Sequence, residues 1–434
     1  MKKANKSILM LMSIILGVSV MAYAAEPVTI TFMGWGSPLE RANVEQAVKV
    51  FNQKHPEINV KWIHVPADYE TKLFTMVAGG TAPDVFWGGI DFYREYAYRG
   101  LLLDITDQVR NDPIIGKPGY FVEPWEEERS AIEGRWYGIG SCWTLIHMFY
   151  NREVFDEAGA EYPPVDPDKA WDWSHFVEIA QKLTSKADSK WGAYIPTAWW
   201  MPYDPFIASN GGEYVNEEGK VALDEPEAVE SLQQIADLTN KLEVAPHAVD
   251  LQQLGLGAWQ MLATGRLGML VDGSWALQDI SKLDFKFGCA ALPKFKAPVT
   301  TMQAHLHVIY KDTKHPKEAW EFLRFLASDY YQLSLCKVGL WLPSHSSLFT
   351  PEGLEQWITP EVHPEGYANL IAKYMDKYAR ILYMPIGWRK ASWSIIFPGL
   401  DPLWLGKKTA QECVKELVPK ANATLAKELE KIKG

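Results

Sequence analysis

The sequence predicts an α/β fold built on doubly wound, mainly parallel sheets, and three features carry that prediction. Residues 27–89 run strand, helix, strand, helix, strand, the order that winds a parallel sheet. Strands such as Val85-Phe86-Trp87 are apolar without interruption, as strands covered by helices on both faces must be. The chain is 434 residues long, enough for two or three domains with ample cores.

Each element has a local reason. Residues 27–33 alternate and are β-rich, and Gly34-Trp35-Gly36-Ser37 breaks them. Ser37 then caps a helix, with Pro38 at its first position and Glu40 three residues on. Val44, Ala47, Val48 and Phe51 follow at helical spacing until His55-Pro56. Residues 58–63 are the second strand. Residues 67–78 are a second helix, entered through Asp68 and closed by Gly79-Gly80. The third strand runs over Val85, Phe86 and Trp87 and stops at Gly88-Gly89.

Residues 100–128 read as surface loops and short helices. Residues 136–140 and 143–150 read as two strand pieces. Residues 153–158 form a short helix stopped by Gly159, and 173–183 form a longer one. Residues 191–195 are a strand that runs into 196–203, a stretch with no clean period. Helices follow at 225–242, 254–264 and 274–283, then a strand at 285–292. Residues 315–326 are amphipathic. Residues 407–431 are helical, interrupted at Pro419. There is no internal repeat and no low-complexity tract.

The first residues have a separate logic. Lys2, Lys3 and Lys6 precede an apolar run from Ile8 to Ala22, and Ala22-Tyr23-Ala24 follows. A basic start, a short apolar run and an A-x-A site make a secretory signal peptide cleaved after Ala24. The run is short for a membrane span. No Cys near the site offers a lipid attachment point, so the mature protein is expected free in the periplasm or secreted. The formal charge is −11, and losing the three lysines deepens it. Such a surface argues against nucleic acid or anionic lipid as partner. The four Cys stand far apart, at 142, 289, 336 and 413, without zinc spacing. They read mainly as small buried apolar residues, with disulfides open. No cofactor and no metal site is expected.

Tryptophan is in excess, 19 against 17 Phe, which suggests surfaces that are apolar and polar together. Trp87 and Asp91 stand beyond the carboxyl end of the third strand, where open α/β sheets bind ligands. A flat ring beside a carboxylate suits a sugar, whose C–H face the ring covers and whose hydroxyls the carboxylate accepts. A core Trp and a solvated Asp is the equal alternative.

Several segments together resemble the extracellular solute-binding proteins of ABC importers, and more narrowly their sugar-binding branch, similar to maltose-binding protein. They are ITFMGWGS opening a helix, GGTAPDVFWGG, WYGIG with MFYNREVFDEAG, GRLGMLVDGSWAL with FGCAALPKF, and HPKEAWEFLRFLAS. The resemblance covers most of the mature chain in order. It implies a two-lobe fold of the type II periplasmic-binding-protein class, crossed three times by the chain. Lobe one takes residues 25–140 and 293–327, and lobe two takes 141–292 and 339–434. The crossings fall near 140–143, 288–292 and 328–338. The resemblance further implies a monomer that is no enzyme, captures a carbohydrate between hinged lobes and delivers it to the importer's membrane permease.

Candidate ligand-binding residues follow. Trp87 and Asp91 match sugar-holding positions of the family, although the carboxylate stands one residue farther from the ring here. Trp35 lies in the first strand-end loop, and Tyr69 and Glu40 start the next helices, each either a ligand contact or a solvated side chain. Trp143 falls at a crossing, where it either faces the cleft or packs the hinge. Trp199 and Trp200, with Tyr203, form an aromatic cluster in a breaker-rich stretch. Asp272 is either a helix cap or a ligand contact, and Trp275 matches a sugar-stacking position. Trp341 lies in a loop similar to one the family carries. His305 and His307 alternate on a strand without a third metal ligand, so His305 is a structural residue or a ligand contact. Trp388 and Arg389 close the set, and Arg389 serves sugar hydroxyls, a carboxylate or a salt bridge. A secreted glycoside hydrolase with a Trp-lined cleft is the rival, and a receptor for a polyol, sugar phosphate or acidic sugar is a third reading. No G-x-S-x-G, HExxH or P-loop motif is present.

Overall fold

A computed structural model describes residues 26–89, 92–122, 134–382 and 384–433, with the backbone alone at 141, 142, 305 and 433. The expected signal peptide and Asp91 lie outside the described residues.

The strands form one connected system in the order β2-β1-β3-β8-β4-β6-β5. β1 (Val28–Gly34), β2 (Ile58–His64) and β3 (Val85–Gly89) pair in parallel around β1. Asp84 fixes the loop before β3 by accepting from Thr31 N at 2.8 Å and Thr31 Oγ1 at 2.9 Å. β4 (Gly138–Asn151) belongs to two sheets. Its Gly138–Leu145 part pairs antiparallel with β8 (Thr300–Ile309), which itself pairs β3. Its Ile146–Asn151 part pairs β6 (Leu267–Gly273) and β7 (Phe287–Ala290). β5 (Trp191–Tyr194) adds to β6 in parallel, and β9 (Ala379–Ile381) adds to β8. Parallel pairing thus holds in β2-β1-β3 and β5-β6, where helices carry the chain back. Antiparallel pairing enters where β4 and β8 run between the sheets.

The two strand pieces expected around Gly140 are one strand. A register shift between Gly140 and Cys142 absorbs an extra residue, so the ladder to β8 continues through a bulge. Three other expectations change. The helix expected over 254–264 is two helices, Ala248–Leu254 and Ala258–Ala263, parted at Gly255 with φ of 63°. The helix expected over 274–283 is a 3-10 turn followed by Leu277–Ile280. The C-terminal helix Ala410–Lys433 continues through Pro419. A missing N–H costs one bond there, while Val414, Leu417, Val418 and Ala421 on either side are buried and outweigh it.

Two clusters of apolar side chains fill the molecule. One gathers Phe32, Val85, Leu306 and Phe322 with Trp341 and Leu370, and the other gathers Phe176, Phe206, Met269, Trp388 and Leu417. β4 serves both: Leu145 and Phe149 enter the first, and Ile146 and Met148 enter the second, as alternation along a strand requires. Cys289, Cys336 and Cys413 are buried free thiols. Among the described residues no helix is long and apolar enough to cross a membrane.

Candidate functional site

A cavity of about 650 Å³ opens beyond the carboxyl ends of β1, β3, β5 and β6, the place where open α/β sheets take ligands. Among the described residues eight tryptophans line it: Trp35, Trp199, Trp200, Trp259, Trp275, Trp341, Trp388 and Trp393. That many indoles in one cavity gives broad apolar faces with N–H donors at their rims.

One wall grows from β1 and β3. β1 ends at Gly34, where a Cβ would stand 2.5 Å from the Trp62 ring and 2.6 Å from the Trp87 ring. Glycine is therefore required for these indoles to close under the strand end. The next residue, Trp35, is half-buried and meets Tyr69 edge-on at 4.8 Å and Trp87 at 5.0 Å. Tyr69 opens the helix Tyr69–Ala78, and its hydroxyl donates to the Trp87 carbonyl at 2.9 Å. Asp68 ahead of it has φ of 51° and makes no side-chain cap. Ser37 caps the helix Pro38–Lys54 as expected, accepting from Glu40 N at 3.2 Å, while Ser37 N donates to Glu40 Oε2 at 3.3 Å. Glu40 is thereby turned into the cavity wall and buried. Burial raises its pKa to about 8, and nearby Asp279 adds to the rise.

The opposite wall grows from β5 and β6. The breaker-rich stretch after β5 carries Trp199 and Trp200, with ring centres 5.8 Å apart, and Trp199 lies 5.7 Å from Trp275. A Cβ on Gly273 would stand 2.0 Å from the Trp275 ring, so a glycine there lets the indole fold back over β6. Asp272 is not the helix cap considered from sequence. Its carboxylate accepts from the Trp259 indole N–H at 2.7 Å and from Gly273 N at 2.8 Å. Burial raises its pKa to about 6. Arg389 forms an ion pair with Glu70 and lies 5.7 Å from the Trp393 ring centre.

Of the candidates, the structure brings Trp35, Tyr69, Trp199, Trp200, Asp272, Trp275, Trp341, Trp388 and Arg389 to one cavity. It does not bring Trp87 or Trp143 there, and both are fully buried. Trp87 lies beneath the cavity floor, 5.3 Å from the Trp341 ring. Trp143 packs inward from β4, and its backbone bonds Leu342 in both directions at 2.8 Å. Asp91 and the His305 side chain lie outside the described residues, and His307 is buried against Phe32 and Trp87.

Sequence reasoning missed Trp259, Glu70, Gln278, Asp279, Gln303 and Trp393, which also line the cavity. One signal for Trp259 was legible: it opens a helix just ahead of the strand that ends in Asp272.

The chain belongs to the family of bacterial extracellular solute-binding proteins, whose pattern it matches over residues 35–333. An arabinooligosaccharide-binding protein of Halalkalibacterium halodurans is 28% identical over 222 residues, covering 48% of this chain and 47% of that protein. A maltotriose-binding protein of Pyrococcus abyssi is 22% identical over 286 residues, covering 63% and 57%. Among solved structures, an ABC substrate-binding protein of Listeria monocytogenes in complex with cycloalternan has a TM-score of 0.82 at 24% identity, covering 92% of this chain and 99% of that one. The maltose/maltodextrin-binding domain of Bdellovibrio bacteriovorus bound to maltotriose has a TM-score of 0.73 at 17% identity, covering 93% and 100%. The fold is the two-lobe fold of type II periplasmic binding proteins.

Proposed function

We propose that this chain is the substrate-binding protein of an ABC importer, a monomer that captures a carbohydrate between its lobes and delivers it to the membrane permease. The observation that carries the reading is the pair of tryptophan-bearing walls facing one another across the cavity. Indole faces cover the C–H faces of sugar rings, and Asp272, Gln278 and Gln303 offer hydroxyls hydrogen-bond partners. The relatives named for arabinooligosaccharides and maltotriose support the same class. On this reading the sugar-contacting set is Trp35, Trp199, Trp200, Trp275 and Trp341 with Asp272. Trp87, Tyr69 and Trp388 support it from beneath.

Hinge bending near 140–143, 288–292 and 328–338 closes the lobes on the guest, and binding energy shifts the open–closed equilibrium. The bulge at Gly140/Cys142 supports the first of these positions. The ligand leaves with its glycosidic bonds intact.

A thermal-shift screen of the mature protein against mono- and oligosaccharides tests the proposal. A rise in melting temperature with at least one sugar, recovered uncleaved, is expected. No rise with any sugar would overturn it.

A further inference from the structure

We infer that the guest carries a primary amine, so that the receptor takes an amino sugar through an acceptor-lined corner of the cleft formed by Glu40, Gln278 and Asp279. This rests on the sugar-receptor reading above and narrows its ligand class.

Two unsatisfied groups point to this corner. Glu40 and Gln278 line the cavity, and each is more than nine-tenths buried. Yet among the described residues Glu40 Oε1 and Gln278 Oε1 have no hydrogen-bond partner. Asp279, the neighbour of Gln278, lines the same cavity and acts electrostatically on Glu40. Buried acceptors left unpaired are costly, so the bound state should supply donors. An ammonium offers three donors and no acceptor, whereas each hydroxyl brings one donor with two acceptor lone pairs. Once Glu40 is ionised, three acceptor groups from two chain segments suit the first better than the second.

The charges agree. Among the described residues the cavity is lined by four carboxylates, Glu40, Glu70, Asp272 and Asp279, and one guanidinium, Arg389. Arg389 is engaged by Glu70. Asp272 is engaged by Trp259 and Gly273. Around Glu40 stand the Ser37 amide, Asp279 and Gly36, whose carbonyl bonds His64 Nε2 at 2.9 Å. Exposed Lys282 eases the ionisation of Asp279 from outside the cavity. Among the described residues no other lining cation faces the corner. Trp35, Tyr69 and Phe92 line the same wall, and aromatic faces favour a nearby cation further.

Burial raises the Glu40 pKa to about 8, so at neutral pH the ligand-free carboxyl is mostly protonated, with the hydroxyl on the unpartnered Oε1 because Oε2 accepts from Ser37 N. When the ammonium docks, Glu40 releases that proton to the buffer and pairs as a carboxylate.

The test compares matched sugars on the purified protein by titration calorimetry: glucosamine with glucose, galactosamine with galactose, mannosamine with mannose, and glucosamine dimer with cellobiose. In at least one pair the amino sugar is expected to bind about tenfold tighter or more, as a charge-assisted bond implies. Its enthalpy should change between phosphate and Tris at pH 7, reporting proton release. Glu40→Gln should abolish both effects, and Asp279→Asn should reduce the preference even if the first variant folds poorly. Equal or tighter binding of the neutral member in every pair would overturn the inference and leave the sugar receptor standing. Binding of neither member, with no sugar active in the wider screen, would overturn both.

Discussion

Arg389 and Glu70 form an ion pair across the cleft. Glu70 stands on the helix that follows β2, next to Tyr69 of the first core. Arg389 stands beside Trp388 of the second core. The pair therefore ties the two walls at their rim. It also answers the question left open for Arg389, whose guanidinium serves a carboxylate of the protein itself.

The first prediction concerns that tie. On the proposed lobe closure, Glu70→Gln and Arg389→Met should each weaken ligand binding, because the pair then joins walls that part when the ligand leaves. For a partly exposed pair the coupling in a double-mutant cycle should be about 1 kcal/mol, about fivefold in Kd. Additive effects of the two substitutions would show that the pair does not couple the walls.

The second separates the cleft indoles from those beneath. Trp275→Ala should cost about 2 kcal/mol of sugar binding, roughly thirtyfold, with a small change in melting temperature. Trp87→Ala should cost about 3–5 kcal/mol of fold stability, because its ring is fully buried. Chemical denaturation and ligand titration on both variants check the contrast. The reverse pattern would exchange the roles assigned to the two rings.

The third is a pH dependence. The folded-state pKa of Glu40 lies near 8 and that of Asp272 near 6, both above ordinary carboxylate values. The folded protein therefore binds more protons than the unfolded chain. Stability from these groups is complete below their unfolded pKa values and is lost as pH rises through 6 and then 8. Each group limits the slope to about 1.4 kcal/mol per pH unit. Denaturation of the ligand-free protein from pH 5 to 9 should show the loss, and Glu40→Gln should flatten its upper part. An unchanged slope in that variant would remove Glu40 as the cause.

The fourth concerns Asp204, which is fully buried. It accepts from Arg380 at 2.7 Å and from Thr301, joining the helix Asp204–Ser209 to β8 and β9. Arg380→Met leaves a buried carboxylate without its cation and should cost about 3–5 kcal/mol in denaturant unfolding. A loss under 1 kcal/mol would mean that Thr301 alone satisfies Asp204.

Much of this architecture was legible in the chain. The β1-helix-β2-helix-β3 run and the Ser37–Glu40 cap follow from local patterns, and the structure reproduces them. Trp275 was expected at the cleft from its match to a sugar-stacking position of the family, and it lines the cavity. Trp87 and Trp143 were harder: a Trp at a strand end can point up into a cleft or down into a core, and the sequence period does not distinguish them. Neighbouring rings decide it, here Trp35 and Trp341 above Trp87. Glu40 stood equally for a ligand contact and a solvated side chain, because nothing local announces that its helix start faces a second wall. Gln278 escaped for the same reason. Pro419 read as a break, since the side chains that hold that helix together are distant in sequence.

The central claim is that facing indoles hold a sugar and return it whole. Intrinsic tryptophan fluorescence of the mature protein, titrated with mono- and oligosaccharides while the sugar is followed by mass spectrometry, tests it most directly. A saturable spectral change with at least one sugar, lost in Trp199→Ala and Trp275→Ala and with the sugar mass unchanged, is the predicted result. No saturable change with any sugar, or cleavage of the sugar that binds, would contradict it.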